Sequence, residues 1–204
     1  MIQDYLNFDN GFYIEAGAND GVSQSNTLFL ENRGWKGILI EPNKFKYQEC
    51  INNRSKNNIV VNCALVSNTY TSSTITGSFF ESSGESLCGQ IIDDLEYCPC
   101  IQAKEAGLEK IKNKYISEVL ARTLQSIINE YNMSKIDFMS LDVEGYEIPA
   151  MDGLDFNKNP PSFIRIETTT LSEVIEKYDG YLISKKYIFI ERVSENDALY
   201  KFIG

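Results

Sequence analysis

Acidic residues follow apolar, strand-like runs at several places in the sequence. Glu15 precedes the glycine-containing turn of IEAGANDG (14–21), Glu41 closes GILIE (37–41), and SLDVEGYE (140–147) contains three carboxylates. The carboxyl ends of parallel strands meet at one edge of a sheet, so we expect these acids to share a cleft. Carboxylates there can bind hydroxyl groups, accept a proton or hold a cation.

The turn after Glu15 contains Gly17 and Gly21, which permit positive φ or close approach to a ligand. Its spacing does not complete the GxGxxG pattern of dinucleotide sites, and its acids suit a pyrophosphate poorly. The same acids would favour a cationic sulfonium that also carries an amino group. A tight strand-to-helix turn with no ligand is the alternative interpretation.

Glu41 lies roughly 20 residues beyond the glycine turn, the spacing at which an acid binds ribose hydroxyls in nucleotide-binding folds. One carboxylate can accept hydrogen bonds from both the 2′ and the 3′ hydroxyl. The alternative is an acid at a helix N-terminus, because Pro42 and Asn43 could begin the next helix.

Asp142 and Glu144 lie two positions apart where a predicted strand ends, so they could face one cleft and raise a pKa or hold a cation. Capping of the next helix is the alternative, above all for Glu147. Glu167 ends the following strand and adds a carboxylate at the same edge. The chain has no histidine, so a general base must be Asp, Glu, Lys, Tyr or Cys.

Short β-rich runs alternate with helical segments, which indicates an α/β fold with a mostly parallel sheet. Strands are predicted at 12–17, 37–41, 58–66, 136–143 and 162–167, and helices at 25–32, 44–54, 123–132 and 171–178. Ser25 is expected to cap the first of these helices, which Gly34 would end. YIFIERV and ALYKFI flank the turn SENDA, so the sheet should finish in an antiparallel hairpin.

Length and composition favour a single domain over residues 1–204. Residues 68–115 differ in composition from the rest of the chain and are predicted to be an insertion, either an acceptor-binding lid or a partly disordered segment. No run is long and apolar enough for a membrane span and no signal peptide is evident, so we expect a cytoplasmic protein.

The net charge of −10 argues against a nucleic-acid partner, since phosphates require Lys and Arg. The five cysteines include no CxxC pair, and ordinary reduced thiols are favoured over a zinc site.

IEAGANDGVSQSNTLF, GWKGILIEPN, VNCALV and IDFMSLDVEGYE followed by IRIE resemble, in order and spacing, the FkbM-type methyltransferases over roughly residues 11–167. The resemblance implies a Rossmann-like class I methyltransferase fold, with a sheet of about seven strands whose last strand is antiparallel. It also implies S-adenosylmethionine as the methyl donor. The implied cofactor-binding residues are Glu15, Gly17, Asn19, Gly21, Ser23, Asn26, Glu41, Asn62, Ala64 and Asp142.

Within this resemblance we expect an O-methyltransferase that acts on a small molecule or glycan, with a sugar hydroxyl favoured. Asp142, Glu144 and Glu167 are the candidate catalytic residues, acting as bases. In a variant of this mechanism, Asp142 and Glu167 bind Mg²⁺ or Mn²⁺, which would acidify the hydroxyl. The alternatives are a nucleotide-sugar or nicotinamide enzyme of similar topology, and an inactive binding module.

Overall fold

The computed structural model describes residues 2–82, 88–92, 111–168 and 172–204. The helices in these ranges are α1 (Ile2–Tyr5), α2 (Leu28–Glu31), α3 (Lys44–Asn53), α4 (Leu124–Glu130), α5 (Glu147–Asp152) and α6 (Ser172–Ser184). The strands are β1 (Phe12–Ala16), β2 (Lys36–Ile40), β3 (Ile59–Val61), β4 (Ala64–Leu65), β5 (Thr74–Ser82), β6 (Cys88–Ile92), β7 (Ile111–Arg122), β8 (Phe138–Leu141), β9 (Phe163–Glu167), β10 (Tyr187–Arg192) and β11 (Asp197–Phe202).

The larger sheet has seven strands in the order β10-β11-β9-β8-β1-β2-β3. Strands β9, β8, β1, β2 and β3 run parallel, whereas β11 lies antiparallel to both β9 and β10. The predicted fold class, with its C-terminal hairpin, is therefore confirmed. The carboxyl ends of β1, β2 and β8 meet at one edge of this sheet, as the acidic motifs require.

Alternate residues along the central strands face two separate cores. Ile14 and Ile38 pack in one core with residues of α4, α5 and α6, whereas Tyr13 and Leu39 pack in the other with residues of α2 and α3. Helices thus cover both faces of the parallel region, which explains why its strands are almost wholly apolar. No helix in the described ranges is both long and apolar enough to span a bilayer.

The prediction of one strand over 58–66 is wrong, because two strands occupy this range. β3 pairs with β2 in the larger sheet, whereas β4 pairs with β7 in a second sheet. The break falls at Asn62, whose side-chain amide donates hydrogen bonds to the carbonyl oxygens of Glu41 and Pro42 at 2.7 and 3.0 Å. These bonds tie the chain to the end of β2 and allow it to leave the larger sheet.

The helix predicted over 25–32 is also shorter than expected and begins only at Leu28. Thr27 occupies the N-cap position, but the Ser25 hydroxyl still accepts a hydrogen bond from the backbone N–H of Leu28 at 3.1 Å. The same hydroxyl donates to the Glu15 carboxylate, whose two oxygens lie 3.0 and 3.1 Å away. The backbone N–H of Asn26 also donates a hydrogen bond to the Glu15 carboxylate, at 2.7 Å. Residues 25–27 are therefore held against the end of β1 before the helix starts.

The predicted insertion contains ordered strands within its described part. β5 pairs antiparallel with both β6 and β7, and with β4 they form a four-stranded sheet in the order β4-β7-β5-β6. The rest of the predicted insertion, residues 83–87 and 93–110, lies outside the described residues. The second sheet carries its own small core, which includes Ile75, Phe79 and Val119 and also contains Tyr146.

Candidate functional site

A cleft opens at the carboxyl ends of β1, β2 and β8, and we call it the strand-end cleft. The edge formed by these strand ends is where open α/β sheets bind ligands. The lining residues are Glu15, Ala16, Gly17, Ala18, Asn19, Ser23, Gln24, Ser25, Asn26, Ile40, Glu41, Pro42, Cys63, Ala64, Leu65, Ile91, Ser140, Asp142, Val143, Glu144 and Tyr146.

Gly17 is required by the way β1 and β8 approach each other. Its φ is +79°, and a Cβ atom built on it would lie 1.8 Å from the carbonyl oxygen of Asp142. No side chain fits in that space, whether or not a ligand is bound. The glycine therefore brings the two acidic strand ends together at the cleft.

The backbone N–H groups of the glycine turn are engaged within the protein. Gly17 and Ala18 both donate to the carbonyl oxygen of Ile40, at 3.0 and 3.1 Å. Asn19 donates to the Glu41 carboxylate at 2.8 Å, and Gly21 donates to the carbonyl oxygen of Ala18 at 2.9 Å. A phosphate-binding turn must direct such groups at its ligand, and these four are already used.

Glu41 is buried at the end of β2. Its two carboxylate oxygens accept hydrogen bonds from the backbone N–H groups of Asn43 and Asn19, each at 2.8 Å. Burial raises the pKa of Glu41 to about 7, and the two backbone hydrogen bonds oppose that rise. Each carboxylate oxygen can accept a second hydrogen bond, so Glu41 can still bind two hydroxyls of a ligand.

Glu15 lies at the cleft wall, but its carboxylate is heavily bonded within the protein. It accepts hydrogen bonds from the Asn26 backbone, from the Thr27 hydroxyl at 2.6 Å and from the Arg54 guanidinium at 3.0 Å. The Arg54 side chain is fully buried and also donates to the carbonyl oxygen of Gly21 at 3.1 Å. Arg54 and Glu15 together fix the residue 17–27 turn that forms one side of the cleft.

Asp142 and Glu167 form a hydrogen-bonded pair of carboxyl groups at the ends of β8 and β9. Burial, and then the charge of Glu144, raise the pKa of Asp142 to about 6. Burial, and then the charge of Asp142, raise the pKa of Glu167 to about 9. At neutral pH, Glu167 therefore keeps its proton and donates a hydrogen bond to an ionised Asp142, the form that can act as a base.

The strand-end cleft is strongly acidic. Glu15, Glu41, Asp142 and Glu144 all line it, and no lysine or arginine does so among the described residues. An apolar surface formed by residues such as Ile40, Leu65 and Ile91 lies beside these acids. The cleft therefore suits a ligand that combines positive charge and hydroxyl groups with an apolar part.

Most of the predicted site residues line the cleft, but three do not. Gly21 has φ of +82° and packs against Arg54, 2.7 Å from where its Cβ would lie. Asn62 binds the backbone at the end of β2, and Glu167 reaches the site only through its hydrogen bond to Asp142. These three are supporting residues in this structure.

Several lining residues were not among those predicted from the sequence. Ser140 lies two residues before Asp142 and accepts a hydrogen bond from the Asn26 side chain at 3.0 Å. Tyr146 joins the cleft to the core of the second sheet, and Ile91 reaches it from β6. The alternation of side chains along β8 places Ser140 on the same face as Asp142 and could have indicated it. The position of Ile91 at the cleft depends on how β6 pairs within the second sheet, which the local sequence does not show.

Within the part of the chain that the structure describes, no group of three or more Cys, Asp or Glu side chains is arranged to hold a metal ion. Cys50 and Cys63 are buried as free thiols.

The Asp142–Glu167 pair predicts a change in stability with pH. The pKa of Glu167 is raised from an unfolded value of 4.5 to about 9, so the folded protein binds more protons in that range. Its free energy of unfolding should therefore fall as pH rises from 4.5 to 9. Because glutamine cannot ionise, the melting temperature of Glu167→Gln should exceed that of wild type at pH 8.5, by about 2–4 °C for each kcal/mol gained. At pH 5 the two melting temperatures should be nearly equal.

Thermal melts of wild type, Glu167→Gln and the exposed-site control Glu176→Gln at both pH values check this. Glu176→Gln should follow wild type throughout. A Glu167→Gln melting temperature that shows no gain at pH 8.5 would mean that Glu167 is already ionised at neutral pH.

Comparison with known proteins gives three findings. A family model described as the methyltransferase FkbM domain matches residues 15–189, and no curated protein matches the chain. Among solved structures, a Pyrococcus horikoshii protein described as an RNA methyltransferase aligns with a TM-score of 0.53 at 8% identity, covering 99% of this chain and 78% of that one. A precorrin-6y C5,15-methyltransferase from Geobacter metallireducens gives a TM-score of 0.44 at 10% identity, covering 97% and 82%. At 8% identity, the first similarity bears on the fold alone.

Proposed function

Because this chain belongs to the methyltransferase FkbM family, we propose that it transfers the methyl group of S-adenosylmethionine to a hydroxyl oxygen of a sugar, in a glycan or a small glycoside. The observation that carries this proposal is the strand-end cleft, which combines buried acids with an apolar wall at the carboxyl ends of β1, β2 and β8.

The residues present fit S-adenosylmethionine. Its sulfonium and amino groups are cationic, which matches a cleft lined by four carboxylates and, within the described chain, by no lysine or arginine. The ribose would lie against Glu41, which retains free lone pairs. The adenine would pack against the apolar side of the cleft, near Ala64 and Leu65.

In this arrangement the glycine turn shapes the site more than it binds the donor. Asn19 uses its backbone N–H to hold Glu41 in place, so the acid is oriented before a ribose arrives. Ser23 and Asn26 line the same turn. Glu15 supports the turn through Asn26 and Arg54, and we assign it a positioning role beside the methionine end of the donor.

The donor, when bound, supplies a methyl group activated by its sulfonium. The protein must then orient the acceptor hydroxyl in line with that methyl and remove the hydroxyl proton. Asp142 is the base we assign, because it lines the cleft and Glu167 donates a hydrogen bond that keeps it ionised at neutral pH. Glu144 lies in the same cleft and is the second candidate.

A divalent cation remains an alternative to direct base catalysis. In that variant, Asp142 and Glu167 would hold Mg²⁺ or Mn²⁺, which would supply a Lewis acid to lower the pKa of the acceptor hydroxyl. Chelation separates the two versions: the direct-base mechanism predicts full activity in EDTA, and the metal mechanism predicts loss that Mg²⁺ or Mn²⁺ restores.

The second sheet offers the acceptor a surface beside the cleft. Ile91 brings β6 to the cleft, and Tyr146 links the cleft to the core of that sheet. We therefore propose that the predicted insertion at 68–115 forms the acceptor side of the site. The acidic cleft favours a neutral sugar over a polyanion, because a phosphate would be repelled by Asp142 and Glu144.

The alternative of a nicotinamide or nucleotide-sugar enzyme has less support. Such enzymes bind a pyrophosphate through free N–H groups at a glycine turn, whereas those of Gly17, Ala18, Asn19 and Gly21 are engaged. An inactive binding module would have no need to keep an ionised Asp142 and a protonated Glu167 together in the site.

A methyl-transfer screen tests the proposal. Purified protein is incubated with donor carrying a labelled methyl group and a panel of free sugars, glycosides and sugar phosphates, with and without EDTA. We expect label in one or more neutral sugars, in an alkali-stable ether linkage. Transfer only to nitrogen or carbon acceptors would contradict the O-methylation, and transfer only to phosphorylated sugars would contradict the argument from the acidic cleft.

A further inference from the structure

A buried carboxylate outside the strand-end cleft is hydrogen-bonded to the loop that follows Asp142. Glu147, the first residue of α5, is 1% exposed. One of its oxygens accepts hydrogen bonds from the backbone N–H groups of Val143 at 3.2 Å and Gly145 at 3.1 Å. Its other oxygen accepts a hydrogen bond from the hydroxyl of Tyr178, on α6, at an O···O distance of 2.7 Å. Glu147 therefore connects the 142–146 loop to a distant helix.

The 142–146 loop needs such support because its backbone is strained. Glu144 has φ of 58° and Gly145 has φ of 94°, so two consecutive residues occupy the left-handed region. That conformation is costly for a residue with a long side chain such as glutamate. Yet the loop must hold it, because Asp142, Val143, Glu144 and Tyr146 all reach the cleft from this segment.

We propose that Glu147 and Tyr178 are positioning residues that hold the 142–146 loop in the conformation that presents Asp142 and Glu144 to the acceptor. This inference rests on the proposed function for its catalytic consequence, but the positioning itself does not depend on any ligand. Neither residue touches the cleft, and both act through the loop backbone.

The charges around Glu147 give this role a dependence on pH. Tyr178 faces it from α6, Asp142 from the end of β8 and Glu167 from β9. Burial raises the pKa of Glu147, and the hydrogen bond from Tyr178 is the largest opposing effect. Without the Tyr178 hydroxyl the pKa of Glu147 should rise further, so the carboxylate would be protonated, and the loop released, at a higher pH.

The chain contains a matched control for the Tyr178–Glu147 bond. Tyr181, one turn later on α6, donates its hydroxyl to the carboxylate of Asp152 at 2.8 Å. Asp152 ends α5, whereas Glu147 begins it. Tyr178→Phe and Tyr181→Phe therefore each remove one tyrosine–carboxylate bond between the same two helices, and only the first of these bonds involves the 142–146 loop.

The test uses NMR to measure amide hydrogen exchange in ligand-free wild type, Tyr178→Phe and Tyr181→Phe, at pH 6 and at pH 8. In Tyr178→Phe, protection of the Val143 and Gly145 amides should fall about 10-fold, and by no less at pH 6 than at pH 8. Tyr181→Phe should keep wild-type protection at both amides. Thermal melts of the two variants confirm that each is folded.

The same variants are assayed for methyl transfer with an acceptor found by the screen. In Tyr178→Phe we expect kcat to fall about 10-fold at pH 6 with little change in donor affinity, and Tyr181→Phe to match wild type. Equal amide protection in wild type and Tyr178→Phe, or an equal loss in Tyr181→Phe, would overturn the positioning role. A wild-type protein that transfers no methyl group but shows the expected exchange pattern would instead overturn the proposed function.

Discussion

Replacing Asp142 with asparagine should lower kcat for methyl transfer by about 10²–10⁴-fold, the range that general-base catalysis typically contributes. The substitution nearly preserves shape while removing the charge that accepts the hydroxyl proton. Donor affinity should change little, because we assign the ribose contacts to Glu41. Steady-state kinetics and donor titrations on the same preparation measure both quantities.

Asp155→Asn is a suitable control, since Asp155 is exposed and lies away from the strand-end cleft. It should keep wild-type turnover. Near-normal turnover in Asp142→Asn, with and without EDTA, would contradict both the direct-base and the metal mechanism. The search for the proton acceptor would then move to Glu144.

Replacing Glu41 with alanine should weaken binding of S-adenosylmethionine by roughly one to two orders of magnitude. Loss of hydrogen bonds to a charged acceptor costs about 1.5–3 kcal/mol, which corresponds to that change in Kd. The substitution also frees the backbone N–H groups of Asn43 and Asn19, so part of the effect should come from a looser turn. Titration calorimetry measures the change.

Glu41→Gln separates the two contributions, because its amide oxygen can still accept one of these backbone hydrogen bonds. Glu49→Ala is the charge-matched control, since Glu49 lies on α3 with its side chain 51% exposed. Glu49→Ala should bind the donor as wild type does. An unchanged Kd in a well-folded Glu41→Ala would remove Glu41 from the site.

The acidic ends of the parallel strands could be located from the sequence because two local signals coincide there. An apolar run predicts a buried strand, and a polar residue after it marks the edge where a ligand can bind. Glu41 and Asp142 are found in this way, and both line the cleft. Gly17 could also be identified, although the reason it must be glycine, contact with the Asp142 carbonyl, involves a second strand.

The supporting contacts could not be predicted, because they join residues that are far apart in the chain. Arg54 looks like the polar end of a helix in the sequence, yet its buried guanidinium holds Glu15, 39 positions away. Tyr178 reads as one aromatic residue of an amphipathic helix, yet it holds Glu147. No periodicity marks such pairs, since each depends on how whole elements pack.

The break in the strand predicted over 58–66 has a similar origin. The run NIVVNCALV is uniformly apolar apart from its asparagines, and its propensity favours one strand. The side chain of Asn62 instead binds the end of β2, and the chain passes from one sheet to the other. A tertiary contact has overridden a local preference.

Whether the strand-end cleft binds the methyl donor is tested by titrating the wild-type protein with S-adenosylhomocysteine in a calorimeter, in parallel with NAD and UDP-glucose. We expect one binding site per chain for S-adenosylhomocysteine and no measurable heat for either of the other two. Binding of NAD or UDP-glucose with no binding of S-adenosylhomocysteine would contradict this assignment of the cleft.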